Sequence, residues 1–146
     1  MKTVPPNVEL LALAEALESV MPRWVILPAA SALTSTAWDG DARSTTAKTI
    51  IDMSAVFSTP TNIDGLLVQV AVRDSGAGSA DAYIILADND TNGSGQRFAC
   101  FPANDRFAYY QGIIPTNADG DLYYQTVATG VGTLDVYLII RGYHLR

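Results

Sequence analysis

The clearest signal along the chain is an alternation. Leu66, Val68, Val70 and Val72 fall on one side of a stretch whose other side carries Leu67, Gln69, Ala71 and Arg73. A period of two predicts a strand with one face in a core. The pattern returns at 133–143, where Leu134, Val136, Leu138 and Ile140 alternate with Asp135, Tyr137, Ile139 and Arg141. Residues 82–87 (AYIILA) are apolar at every position, which predicts a strand buried on both sides. Further strands are expected at 24–27, 48–53, 97–101, 107–114 and 122–127. Between them lie turn-forming stretches rich in Gly, Asn, Asp and Ser, at 39–41, 58–65, 75–79, 88–96, 117–121 and 129–132. Residues 29–46 read as a small, polar connection. Seven or eight regularly spaced strands, with no helical pattern among them, predict a mainly β domain over 23–146. The expected form is an antiparallel β-sandwich or jelly roll.

Residues 1–22 follow a different grammar. Residues 1–6 read as an extended arm ending in Pro5 and Pro6, and Asn7 suits a helix N-cap. From Val8 to Pro22, Leu, Ala and Glu dominate with no glycine, which predicts a short α-helix. Leu10, Leu13, Leu17 and Val20 fall on one face, and Glu9, Glu15 and Glu18 lie off it. Two uses fit this stripe: packing on the chain's own domain, or a short seam between subunits. The expected division is therefore an arm and amphipathic helix at 1–22, for oligomerisation or docking, ahead of the β domain.

Composition sharpens the picture. Hydrophobic residues make up 49% of the 146 and charged residues 16%, below the typical quarter. Lys2 and Lys48 are the only lysines. Lysine favours free surface and is depleted from interfaces, so its scarcity fits a surface that meets other protein, and equally a lysine-poor genome. The net charge is −6, and Arg23, Arg43, Arg73, Arg97, Arg106, Arg141 and Arg146 are scattered singly. Nucleic-acid binding needs clustered cations, so it is not expected. The N-terminal apolar stretch is interrupted by glutamates and lacks a small-residue cleavage site. Neither a signal peptide nor a membrane span is expected, and synthesis is placed in a cytoplasm.

Chemistry-bearing residues are few. His144 is the only histidine and Cys100 the only cysteine, so a tetrahedral zinc site or a His-based triad has too few members. Cys100 lies in an apolar run and is expected to be buried and inert. All three glutamates lie in the N-terminal segment. Asp39/Asp41, Asp88/Asp90 and Asp119/Asp121 pair up in loops, where Asp ordinarily bonds nearby backbone N–H groups. Asp88, Asp90 and Asn92, followed by Gly93, match the first half of a calcium loop, but Ala99 stands where the closing glutamate belongs. No cofactor is expected, calcium at Asp88, Asp90 and Asn92 being the one weak candidate. Phe107, Tyr109, Tyr110, Tyr123, Tyr124, Tyr137 and Tyr143 crowd the later strands. About half should be core, and the rest could stack a sugar or a partner.

At WDGDARSTTAKTIIDMSAVF, GLLVQVAVRDSGAGS, IPTNADGDLYYQ and TLDVYLIIRGY, within residues 36–143, the chain resembles small structural proteins of tailed bacteriophages, of the capsid decoration (cement) or tail-fibre type. The resemblance implies a virion location and a homotrimer, with no catalytic residues to carry over. Capsid decoration is the first expectation. On that reading the protein is not an enzyme, its partners are itself and the major capsid protein, and Val4, Pro5, Pro6, Leu10, Leu13, Leu17 and Trp24 make the contacts. The alternative is a tail-fibre or receptor-binding tip whose loops 75–80, 88–95 and 117–121 touch host glycans.

Overall fold

The computed structural model describes residues 12–13, 16, 23–38, 40, 46–75, 82–103, 105–128 and 134–146. The protein is mainly β, with two antiparallel sheets among the described residues. The larger has five strands: β1 (Arg23–Ile26), β2 (Leu33–Thr34), β4 (Ile63–Asp74), β7 (Ala108–Pro115) and β9 (Leu134–Leu145). Its order is β1-β9-β4-β7, with β2 also paired to β9. The smaller has order β3-β8-β5-β6, built from β3 (Thr49–Ile51), β5 (Tyr83–Ala87), β6 (Gln96–Ala99) and β8 (Leu122–Val127).

The two long alternating stretches are the paired centre of the large sheet. β4 and β9 run antiparallel over almost their whole length. Leu66, Val68, Val70, Val72, Val136 and Ile140 are fully buried, and Leu134 and Leu138 nearly so. Both sheets feed one core, since Ile84, Leu86, Phe98, Leu122 and Tyr124 join that cluster from the other side. β5 is buried on both faces as its uniform apolarity requires: Ile84, Ile85 and Leu86 are each 1% exposed or less. The edges β6 and β7 approach each other. The Tyr110 hydroxyl donates to the Ala99 carbonyl at 2.8 Å, and Tyr110 packs on Phe98 with ring centroids 5.6 Å apart.

Three features depart from the sequence reading. The candidate strand at 48–53 stops at Ile51, and α1 (Met53–Phe57) follows. Asp52 caps it, accepting from the Ala55 N–H at 2.9 Å, and Asp121 accepts from the Met53 N–H at 3.0 Å. Met53 and Phe57, four apart, are buried, and Ser58 ends the helix in the left-handed region at φ 57°. Five residues are too few for a helical period to register in sequence. The connection 29–46 contains β2 and a 3-10 turn at Ala29–Ser31, so that β1 and β2 form one interrupted edge strand along β9. Trp38, in the same polar stretch, is 2% exposed and meets Tyr124 edge-on at 5.3 Å.

Of residues 1–22, Ala12, Leu13 and Ala16 are described. All three have helical backbone and are exposed.

Candidate interaction face

One face of β4 and β9 builds the core; the other carries several exposed large apolar side chains. Register places its residues in rows across the sheet. The first row is Trp24, His144, Gly65 and Pro115, and the second is Ile26, Gly142, Leu67 and Ile113. Thr34, Ile139, Gln69 and Gln111 form the third, and Tyr137, Ala71 and Tyr109 the fourth. Eight large hydrophobic side chains are exposed among the described residues, and five of them lie here: Trp24, Ile26, Tyr109, Ile113 and Tyr137. Concentration of exposed apolar groups on one face makes it the candidate interaction surface, because singly scattered ones are the norm.

The face is not flat. In the fourth row, Ala71 stands between two tyrosines and helps line a slot of about 480 Å³ that extends to the Thr34–Thr36 segment. Tyr109 and Tyr137 flank it, and Phe107 lies 5.9 and 5.5 Å from their ring centroids. Thr34, Ser35, Thr36, Gln69 and Ile139 complete the rim.

The charges around the slot are already satisfied. The Arg73 guanidinium lies over Phe107 at 4.6 Å, donates to Asp135 and pairs with Asp105 at 3.1 Å. Hydrogen bonding to Asp135 raises the Arg73 pKa further. Arg141 stands at a bulge of β9, where the register against β4 shifts by one residue. It donates to the Gln69 side-chain oxygen at 3.0 and 2.6 Å and to the Ala29 carbonyl at 3.3 Å. The opposite shift, at Asp64, brings that carboxylate to the Nδ1 of His144. The His144 ring also packs tilted against Trp24, with centroids 5.1 Å apart.

Among the expected contact residues, Trp24 sits on this face at the edge strand and is 41% exposed; Leu13 is 58% exposed. Val4, Pro5, Pro6, Leu10 and Leu17 lie outside the described residues. Asp88, Asp90 and Asn92 come together in the loop between β5 and β6, but a protein cation already sits beside them. The Lys48 ammonium donates to the carbonyls of Asn89 and Ser94 at 3.3 and 2.7 Å, and the Lys48 N–H donates to the Asn92 side chain at 2.9 Å. Partial burial lowers the Lys48 pKa, against the pull of Asp88 and Asp90. Among the described residues no group of three or more His, Cys, Asp or Glu could hold a metal ion. In the 117–121 turn, Asn117 accepts from the N–H groups of Asp119 and Asp121 at 2.9 and 2.8 Å. No helix among the described residues is long and apolar enough to cross a membrane.

Cys100 is buried, and desolvation pushes its thiol up to about 11. At pH 8, reaction with a disulfide reagent should be about a hundredfold slower in the native protein than in the unfolded chain, because the thiolate is the reacting species. Native-state labelling as fast as in denaturant would show that the pocket around Cys100 opens readily.

Sequence reasoning singled out the late aromatics as a group without sorting them. The structure does: Tyr124 is buried, Tyr110 and Tyr143 pack partly against the core, and Tyr109 and Tyr137 face outward. For Tyr137 the sign was present, since it shares a strand face with Asp135 and Ile139 rather than with the buried leucines. Ile26 and Ile113 carried no such sign. Compared with known proteins, the chain matches no family model and no characterised protein.

Proposed function

We propose that this chain is a non-enzymatic structural protein of a virion, a capsid decoration or cement protein of a tailed phage. The apolar outer face of the large sheet carries the reading. It exposes Trp24, Ile26, Tyr109, Ile113 and Tyr137 together, a composition typical of contact surfaces with aromatic anchors. In this reading the two sheets form a β-sandwich of jelly-roll kind, the copies form a homotrimer, and residues 1–22 reach onto neighbouring subunits or the major capsid protein. Function is then interface burial. A standard contact covers about 800 Å² per partner, and each bound copy stabilises the assembled shell because it prefers that state. The resemblance of residues 36–143 to small phage structural proteins supplies the virion context.

The chemistry in hand supports the same side. The Asp121 carboxylate is engaged at the start of α1, where it accepts from the Met53 N–H, and the Cys100 thiol is buried. The tail-fibre alternative would need glycan-facing loops. Loops 88–95 and 117–121 spend polar groups internally, on Lys48 and on the Asn117 turn, which favours decoration over a receptor-binding tip.

Removing residues 1–22 should leave a cooperatively folded β domain that no longer binds capsids. Co-sedimentation with particles is the measurement, with circular dichroism as the folding control. Capsid binding that survives the deletion would remove the arm from the contact. Capsid binding absent from the full chain would remove the decoration reading altogether.

A further inference from the structure

We infer that the edge of β7 pairs antiparallel with the β7 edge of a second copy, about a twofold axis at Gln111, joining two large sheets into one. The inference goes beyond the proposed function and does not rest on it.

The large sheet ends on β7, since its order is β1-β9-β4-β7. Hydrogen-bond parity shows which backbone groups that strand turns outward. The Thr116 N–H donates to the Asp64 carbonyl at 3.1 Å, next to the position where Gly65 faces Pro115. Opposite residues of an antiparallel pair alternate between bonded and non-bonded. Bonded pairs therefore fall at Leu66–Ile114, Val68–Gly112, Val70–Tyr110 and Val72–Ala108. The N–H and C=O groups of Tyr109, Gln111 and Ile113 then point away from β4. Pro115 agrees with that assignment. It takes the next outward position, where a missing N–H costs no bond to β4.

An exposed strand edge is a template for another strand, and proteins ordinarily blunt it by charge, shortness, a bulge or a cover. The other edges among the described residues are blunted in these ways. β1 and β2 have four and two residues and are separated by the 3-10 turn. β3 has three residues. β6 has four and includes Arg97, and its Ala99 carbonyl accepts from the Tyr110 hydroxyl. β7 differs from all of them. It has eight residues and pairs with β4 without a register shift. From Phe107 to Ala118 the sequence carries no charge. Tyr109, Gln111 and Ile113 are all exposed.

The strand is complementary to itself. Antiparallel pairing centred on Gln111 sets Tyr109 opposite the second copy's Ile113, and Ile113 opposite the second copy's Tyr109. Aromatic and β-branched residues facing each other across strands stabilise a sheet. The two Gln111 amides meet at the axis, each with a donor and an acceptor to exchange. On the core side Tyr110 faces the second copy's Gly112, so the ring meets no opposing side chain. Like charges directly opposite would oppose self-pairing, and this run has none. The pairing also makes the apolar outer face continuous over both copies, because Tyr109 and Ile113 belong to it. A contact between two like edges is isologous and cannot by itself build a ring of three. Within the decoration reading it joins copies of neighbouring trimers.

The test uses the full chain. Concentration-dependent dimers are expected in sedimentation equilibrium, and association should strengthen as salt screens the net charge of −6. Gln111→Lys sets like charges together at the axis and should weaken association at least tenfold. Position 111 is exposed, so the thermal transition should be retained. Gln111→Cys should form a disulfide-linked dimer under mild oxidation, since the Cα atoms of a bonded antiparallel pair lie about 5.5 Å apart. Cys100 is buried and does not compete. Amide exchange of the unaltered chain gives a further readout. It should slow at Tyr109, Gln111 and Ile113 where dimers form, with Tyr110 and Gly112 protected at every concentration. Dimers in which those three amides exchange as fast as in the monomer place the contact elsewhere and overturn the inference. So does a chain that stays monomeric at all concentrations, and so does association unchanged by Gln111→Lys. Slowing at the three amides only when a different protein is added gives the edge to another partner and overturns it as well. Capsid co-sedimentation reads the decoration proposal separately, so dimers without particle binding leave the strand pairing standing.

Discussion

Replacing Trp38 with alanine should cost about 3–5 kcal/mol of folding stability, the usual range for truncating a large buried aromatic. Trp38 is 2% exposed although it sits in a connection of small and polar residues. Its ring meets Tyr124 of the small sheet edge-on, with centroids 5.3 Å apart and planes at 82°, and it is part of the common core. It also borders the floor of the slot near Leu138 and Ile139. The loop therefore plugs the core, and truncation opens a cavity that the two hydrogen-bonded sheets cannot readily close. Nearby Gly40 reinforces the anchoring: at φ +93°, a Cβ there would lie 2.5 Å from the Cβ of Val136. In a domain of this size the loss corresponds to a fall in melting temperature of roughly 10 °C or more. Denaturant titration of the variant measures it directly. A loss below about 1 kcal/mol would mean that the loop does not hold the core as described.

Gly95→Ala should have an effect of similar size by a different route. Gly95 has φ +121°, which an L side chain rarely adopts. An added Cβ would stand 2.4 Å from the Leu86 carbonyl oxygen and 2.8 Å from the Ala87 Cβ. Both neighbours belong to β5, the most thoroughly buried strand of the small sheet, so neither can yield without disturbing the core. Strain and overpacking each contribute about 1–3 kcal/mol. The expected sum is about 3 kcal/mol, with the 88–95 loop displaced. Because Lys48 bonds the Asn89 and Ser94 carbonyls, amide exchange in that loop should rise in parallel. Gly93→Ala is the internal contrast, since its Cβ would meet nothing within 4 Å although φ is +75°. Equal losses at the two positions, read by thermal melting, would assign the effect to backbone conformation alone.

The strand-pairing inference and the decoration reading fail separately. Self-association reads the first and particle binding reads the second.

Much of the candidate site was nearly legible. The alternation of β9 assigns Tyr137 to the side opposite the core, and that of β4 assigns Ala71 likewise. What no single strand could tell is that Tyr109 stands level with both. That juxtaposition comes from register, fixed between strands distant in sequence and shifted by one residue at Asp64 and again at Arg141. The calcium-like loop shows the same limit. Asp88, Asp90 and Asn92 are neighbours in sequence, whereas the lysine beside them comes from more than forty residues away.

By itself the sequence determined the β class, the two long alternating strands, the doubly buried β5 and the buried cysteine. These follow from the period of apolar residues and from local turn chemistry, which act over a few positions. Only the tertiary structure decided that Trp38 belongs to the core, that α1 follows β3, and that the outer face of β1-β9-β4-β7 is apolar with a slot at Ala71. Those depend on which strands lie side by side and on where bulges shift their pairing, and both are set by packing the whole chain at once.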